Sequence, residues 1–230
     1  VQVLRPEPLE GVPDQLMTRD IGVVIGQTFV VTRMANRSRQ REWHGVEHVL
    51  AQLPHGRVIH APADIILEGG DIIVDNGHIF VGLSQRTNAA GAAWLAEQFP
   101  AYTVVPLPLK PVSAGENVLH LDCAFVPVGR GLALIYEDGF QEIPAVLRDL
   151  YQFISVTRAE QDELGTNVLS ISPTQVISRA AATRINAAMQ AQGLTVYALP
   201  FDEAPKTGGS FRCCSLPLQR QPNYSGFVGE

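Results

Sequence analysis

The stretch DIIVDNGHIFVGLSQRTNAAGAAWLAEQF, residues 71–99, decides the fold. Two short β-rich runs, DIIV and HIFVGL, flank Asp75-Asn76-Gly77, residue types that supply the positive backbone angles of a tight hairpin. Ala92, Leu95, Ala96 and Phe99 then recur at i, i+3, i+4 and i+7, which predicts a helix starting near Thr87 with one apolar stripe turned to a core. A hairpin that feeds a helix is one α/β unit.

The same order recurs along the chain in five passes. The first runs VQVL, IGVVIG and TFVVTR into a helix candidate over REWHGVEHVLAQL. The second runs RVIHA, DIILEGG, DIIV and HIFVGL into the helix above. The third runs YTVVPLPL, NVLHLDCAFVPV and GLALIYE into a short helix around Ile143 to Tyr151. In the fourth, FISV, NVLSI and QVIS precede a helix in which Ala181, Ile185, Ala188 and Met189 share a face and Gly193 is the stop. The fifth, LTVYALP and CCSLPLQR, has no helix after it. A repeat of roughly 45 residues signals stacked or radial architecture, because one unit cannot cover its own apolar face. Five units suggest a closed ring, its last helix expected from residues preceding Val1. No linker or low-complexity stretch divides the chain, so residues 1–230 read as one unit.

Composition narrows the partners. Apolar residues make up 46% and charged residues 17% of 230 residues, the profile of a protein that folds by burial. A formal net charge of -6 with no basic run gives no footprint for nucleic acid or an anionic membrane, and makes a small cation the better ligand. No run approaches the roughly 18 apolar residues of a membrane span. Three cysteines, two of them adjacent at Cys213 and Cys214, form neither a disulfide framework nor a zinc spacing, and imply a reducing cytoplasm.

Four segments could carry chemistry. LEGGD sets Glu68 and Asp71 around Gly69-Gly70, where carboxylates can face a pit and hold a cation, or where the glycines simply bend the chain. In NVLHLDCAF, strand periodicity puts His120 and Asp122 on one side of a sheet, either used as a pair or present as a satisfied core histidine beside an acid. KTGGSFRCCSLPL puts a glycine-flexed loop and Arg212 before Cys213, a way to expose a thiol and stabilise its thiolate, though free cysteine is often a small buried apolar residue. Asp14, Asp20 and Arg86 lie at element ends and are ordinary loop charges unless they converge. His44-Gly45-Val46-Glu47-His48 matches an inverted zinc-peptidase motif, but a glycine interrupts it and no acidic helix downstream supplies a third ligand.

As an ordered set, TRDIG, EGGD, GLSQRTN, HLD and GGSFRCCSLPL resemble the guanidino-group-modifying superfamily, the penteins, over about residues 13–218. That superfamily includes arginine deiminases, dimethylarginine dimethylaminohydrolases, arginine dihydrolases and amidinotransferases. The resemblance implies a five-bladed α/β propeller of ββαβ-type units with the active site on its axis. It implies Cys213 as nucleophile, His120 as general acid/base, Glu68 and Asp20 as acids that grip the guanidinium, and Arg86 and Arg33 as substrate-carboxylate ligands. Asp14 falls where deiminases tend to carry Asn and dimethylaminohydrolases Asp.

The same resemblance implies no metal and no organic cofactor, and a small guanidino compound as partner; self-association is left open. The chain is too short for the helical insertion of the deiminases, yet Asp122 follows His120 as it does in deiminases, where dimethylaminohydrolases typically carry Lys. A second acid beside the histidine would bind both edges of an unmethylated guanidinium. Dihydrolysis, amidino transfer and a silent guanidino-binding module are the alternatives.

Overall fold

The computed structural model describes residues 2–52 and 56–218. Among them, strands form four three-stranded sheets of one design: an antiparallel hairpin, a helical segment, then a third strand parallel to the second. The first holds β1 (Gly22–Ile25), β2 (Thr28–Val31), α1 (Glu47–Leu50) and β3 (Arg57–His60). The second holds β4 (Ile72–Asp75), β5 (His78–Leu83), α2 (Ala89–Gln98) and β6 (Thr103–Pro108). The third holds β7 (Phe125–Gly129), β8 (Leu132–Ile135), α3 (Ala145–Leu150) and β9 (Gln152–Ser155), with α4 (Arg158–Asp162) leading onward. The fourth holds β10 (Leu169–Ser172), β11 (Gln175–Arg179), α5 (Thr183–Ala191) and β12 (Thr195–Leu199). None of the described helices is long and apolar enough to cross a membrane.

The deciding hairpin forms as its sequence requires. Asp75 pairs with His78 across a two-residue turn, and Asn76 and Gly77 take φ of 48° and 71°. Asn88 caps α2 by accepting from the Gly91 amide. Ala92, Leu95 and Phe99 are buried as expected, whereas Ala96 faces solvent. Gly193, at φ 84°, follows α5, whose Ile185 and Met189 are buried.

Several expectations are corrected. Each strand that follows a helix belongs to the sheet before it: β3, β6, β9 and β12 pair in parallel with β2, β5, β8 and β11. Such long-range pairing leaves no mark on local periodicity. Residues 2–8 carry no strand, Val1 lying outside the described residues. The helix expected over 41–53 is a 3-10 segment, Glu42–Val46, followed by the single turn α1, and Leu53 lies outside the described residues. At its break, a Cβ on Gly45 would meet Glu7 O at 2.8 Å, so the N-terminal segment lies directly on that backbone. His120 and Asp122 are not on a strand: Asp122 lies in a 3-10 turn, Leu121–Cys123, before β7, and His120 is the extended residue at its start. CCSLPL forms a turn and an irregular segment instead of a strand, with 219–220 outside the described residues.

The core bridges the sheets. Phe80 of β5 meets Phe125 of β7 edge-on at 5.9 Å, and Phe125 meets Tyr151 at 5.3 Å. Phe80, Phe125 and Leu121 are fully buried, each contributing roughly 1.5–3 kcal/mol of apolar burial. That packing fixes the turns at the strand ends, where the polar side chains collect.

Candidate active site

The turns preceding three of the sheets, together with the segment after β12, converge. In the first turn, Thr18–Ile21, the Asp20 carbonyl accepts from the Thr32 hydroxyl at 2.6 Å. The next, Gly69–Asp71, lies against it: a Cβ on Gly69 would meet Arg19 O at 2.2 Å, and one on Gly70 would meet His120 Nδ1 at 2.7 Å and Asp20 Oδ1 at 2.8 Å. The glycine pair is therefore required for close approach, not only for a bend.

Asp71 holds the third turn. Its Oδ1 accepts from the Leu121 amide at 2.8 Å and its Oδ2 from the Ser84 hydroxyl at 2.7 Å. Burial pushes this carboxyl up to about 7, against the pull of His120 and those donors. Gly82 makes the meeting possible, since a Cβ there would touch Asp71 Oδ1 at 2.6 Å and Leu121 Cβ at 2.8 Å.

His120 sits between acids. Its Nε2 is 2.7 Å from Glu68 Oε2 and its Nδ1 3.7 Å from Asp20 Oδ1, and all three side chains are buried. Burial alone would discharge the ring, but Asp20, the Glu68 hydrogen bond and Asp71 outweigh it and raise His120 to about 10. Glu68 moves the opposite way. Burial raises it, yet His120, the Ala35 amide at 2.9 Å and Arg86 at 3.6 Å bring its carboxyl below the ordinary value. The pair is an imidazolium with a carboxylate.

Cys213 is 5% exposed. Its Sγ accepts from Asn167 Nδ2 at 3.1 Å and lies 3.9 Å from Asp122 Oδ2. Asp122, fully buried, is paired with Arg212 Nε at 3.3 Å. Burial first, then Asp122 and Asp20, push the Cys213 thiol well above its usual range, so it is neutral in the unliganded protein. Arg19 straps this segment down: its amide donates to Cys213 O at 2.9 Å, its Nε to Arg212 O at 3.2 Å, and its Nη2 to Ser215 Oγ at 3.3 Å. Cys214 is half-buried, its Sγ 3.9 Å from Met17 Sδ.

Cys213, His120, Glu68, Asp20 and Asp122 are thus brought together, with Arg86 at the rim. Arg33 contributes its backbone, bridging to Leu67 beside Glu68, and its side chain is half-buried. Asp14 is set back: its carbonyl accepts from Arg39 at 3.5 Å, and its charge helps raise Glu42.

Four buried residues escaped the sequence reading or were undervalued by it: Arg39, Arg19, Asn167 and Asp71. Arg39 donates to Asp20 Oδ2 at 2.9 Å and to both oxygens of Glu42 at 2.8 Å. The three-residue spacing of Arg39 and Glu42 was the only sequence signal for that pair.

Among the described residues, Asp20, Glu68 and His120 are the one group with donor atoms close enough to hold a metal ion, within 4.8 Å of one another. The 2.7 Å contact of His120 with Glu68 is a hydrogen bond, whose proton an ion ligated by His120 Nε2 would have to displace. His44 and His48 do not converge: their Nδ1 atoms lie near Glu47 and Glu7, on partly exposed side chains.

The family model described as N,N dimethylarginine dimethylhydrolase, eukaryotic, matches residues 1–220. The uncharacterized protein YkgA of Bacillus subtilis is 38% identical over 223 residues, covering 96% of this chain and 75% of that protein. The arginine deiminase of Mycobacterium marinum is 26% identical over 93% of this chain, which spans 62% of the deiminase's length. Two solved structures share the fold. The substrate-bound N-terminal domain of ArgZ, a cyanobacterial arginine dihydrolase, superposes with TM-score 0.82 at 23% identity, over 93% of this chain and 79% of its own. A dimethylarginine dimethylaminohydrolase adduct superposes with TM-score 0.78 at 24% identity, over 91% and 80%. With an α/β pentein fold and a match over nearly its whole length, the chain belongs to the N,N dimethylarginine dimethylhydrolase family of the pentein superfamily.

Proposed function

We propose that residues 1–230 act as one catalytic unit, a cysteine-dependent hydrolase that opens a guanidinium C–N bond of arginine or a related compound. The observation that carries the reading is the buried Cys213 thiol set among buried carboxylates, 3.9 Å from Asp122, with His120 two residues before Asp122 and hydrogen-bonded to Glu68. A guanidinium is protonated at neutral pH and its carbon is a poor electrophile, so it must be fixed between acids before a strong nucleophile can attack. Asp20 and Asp122 supply the grip, and Glu68 holds His120. Arg86, and in a lesser role Arg33, meet the substrate carboxylate, while Asp14 acts indirectly on the Arg39–Glu42 pair.

Charge drives the first step. The cation offsets the acids that keep the thiol neutral, Cys213 releases its proton to solvent, and the thiolate attacks the guanidinium carbon. His120 gives its proton to the departing amine. It then takes a proton from water, which attacks the S-linked amidino carbon and releases the urea product and the thiol.

Asp122 sets the substrate. An unmethylated guanidinium donates to both Asp20 and Asp122, whereas N-methyl groups remove a donor and crowd the buried acid. Arginine is therefore expected to exceed asymmetric dimethylarginine in kcat/KM by about tenfold or more. Initial rates with arginine, asymmetric dimethylarginine and agmatine, with products identified by mass, check this. A higher kcat/KM for dimethylarginine contradicts the Asp122 assignment. Ornithine as final product would mean dihydrolysis, and an amidino group on an added amine would mean transfer.

A further inference from the structure

Asn167 was not singled out by sequence and has no place in the chemistry above, yet its side chain is 1% exposed and makes three contacts at the thiol loop. Oδ1 accepts from the amides of Ser210 and Cys213, both at 3.1 Å, and Nδ2 faces Cys213 Sγ at 3.1 Å. The orientation is forced. Two backbone N–H groups can only donate, so the carbonyl end of the amide must meet them and the NH₂ end must meet sulfur.

The backbone that presents it is specialised. Leu164 adopts φ 59°, a left-handed conformation rare for a side chain of that size, and the Asn167 amide closes back on Leu164 O at 3.0 Å. Gly165 fits only without a side chain, since a Cβ would meet Ile185 Cδ1 at 2.5 Å and Glu160 O at 2.8 Å. Neighbouring Thr166 donates to Cys123 O at 2.8 Å, tying the same turn to the segment of His120 and Asp122. One short turn thus references the acid segment on one side and the nucleophile loop on the other.

We propose that Asn167 is the positioning residue of Cys213: its Oδ1 fixes the nucleophile loop, and its Nδ2–H is aimed at the sulfur as a donor that only the thiolate fully uses. The inference rests on Cys213 being the nucleophile. Around Sγ, Asp122, Asp20 and the Cys123 thiol oppose ionisation and Cys214 adds no charge; the Asn167 amide favours it. The cations of the neighbouring segments are Arg212, paired with Asp122, Arg19, which donates to Arg212 O, Arg39, paired with Asp20, and the protonated His120. A neutral donor is suited to this place, because a further cation at Sγ would repel the incoming guanidinium.

The test reads the thiol without any substrate. In a Cys214→Ser background, the rate at which iodoacetamide alkylates Cys213 is followed against pH, with the modified peptide identified by mass. Asn167→Ala is expected to displace the log-rate line by about one pH unit, read as roughly tenfold slower alkylation at every pH below the midpoint. Circular dichroism verifies the fold, and Asn167→Ser carries the test if the alanine variant does not fold. A folded variant whose alkylation line stays within about 0.3 unit of the parent overturns the proposal, as does failure of both variants to fold, which would mark Asn167 as a structural fastener only. If the parent hydrolyses no guanidine yet the line moves, the guanidine reading fails, while the control of the Cys213 thiol by Asn167 is kept for whatever electrophile Cys213 attacks.

Discussion

Replacing Cys213 by serine is expected to lower kcat/KM by at least about four orders of magnitude while the fold and substrate binding survive. The reason lies in what surrounds the sulfur. A thiol can be ionised by an incoming cation and one amide donor, because its intrinsic acidity is within reach of such terms. A serine hydroxyl is not, and no strong base is poised to deprotonate it: His120 is already protonated, Asp122 is a weak base paired with Arg212, and Asn167 presents a donor. The shorter oxygen still fits a site in which Asn167 Oδ1 holds the backbone amide of residue 213, so stability changes little. Steady-state rates and calorimetric binding of arginine to Cys213→Ser check both halves. Retained turnover would remove Cys213 from the chemistry; lost binding would show that the loop, not the nucleophile, had been damaged.

Replacing His120 by asparagine is expected to reduce kcat by about 10²–10⁴-fold, the range for a general acid/base, and also to change how stability depends on pH. The folded value of His120 is about 10, above the ordinary 6.5, so the protonated ring stabilises the native state fully below about 6.5. That contribution is lost progressively as pH rises from there through about 10. Glu68 has the opposite sign: its folded value is depressed, so its contribution is present above the ordinary carboxylate range and lost as pH falls through the folded value. Urea denaturation of the parent should therefore show stability falling between neutrality and about pH 10. The Asn variant should show a flatter alkaline limb and a weakened acid limb as well, because His120 is the strongest of the groups that hold Glu68 down against burial. An unchanged alkaline limb would mean that His120 is neutral in the folded protein and could not protonate a leaving amine at the outset.

Much of this was legible because local chemistry matched global need. Asp75-Asn76-Gly77 could only be a hairpin, and Gly193 only a stop, since each demands positive φ where few residues tolerate it. His120 and Asp122 were visible as polar residues in an apolar run, whereas Asp20, Glu68 and Cys213 stood out only through the ordered set of motifs that resembles the penteins. What stayed hidden was set by distance along the chain. Asp71 and Leu121, 50 residues apart, turn what reads as a strand around His120 into a 3-10 turn. Parallel pairing of β3, β6, β9 and β12 reaches back across a helix, so each was read into the following unit. Arg39 stood among similar arginines at Arg33, Arg37 and Arg41, with nothing local to set it apart. Asn167 looked like a polar strand start, because nothing in its neighbours reports that Cys213 folds back onto it.

The most direct measurement is the mass of Cys213 during turnover. The protein is mixed with excess arginine, quenched in acid within one turnover, digested, and the peptide containing Cys213 weighed. The account predicts an adduct of arginine less ammonia on Cys213, absent from Cys213→Ser and decaying to free enzyme and citrulline. Citrulline formed with no adduct on Cys213, or the same product from the serine variant, would contradict it.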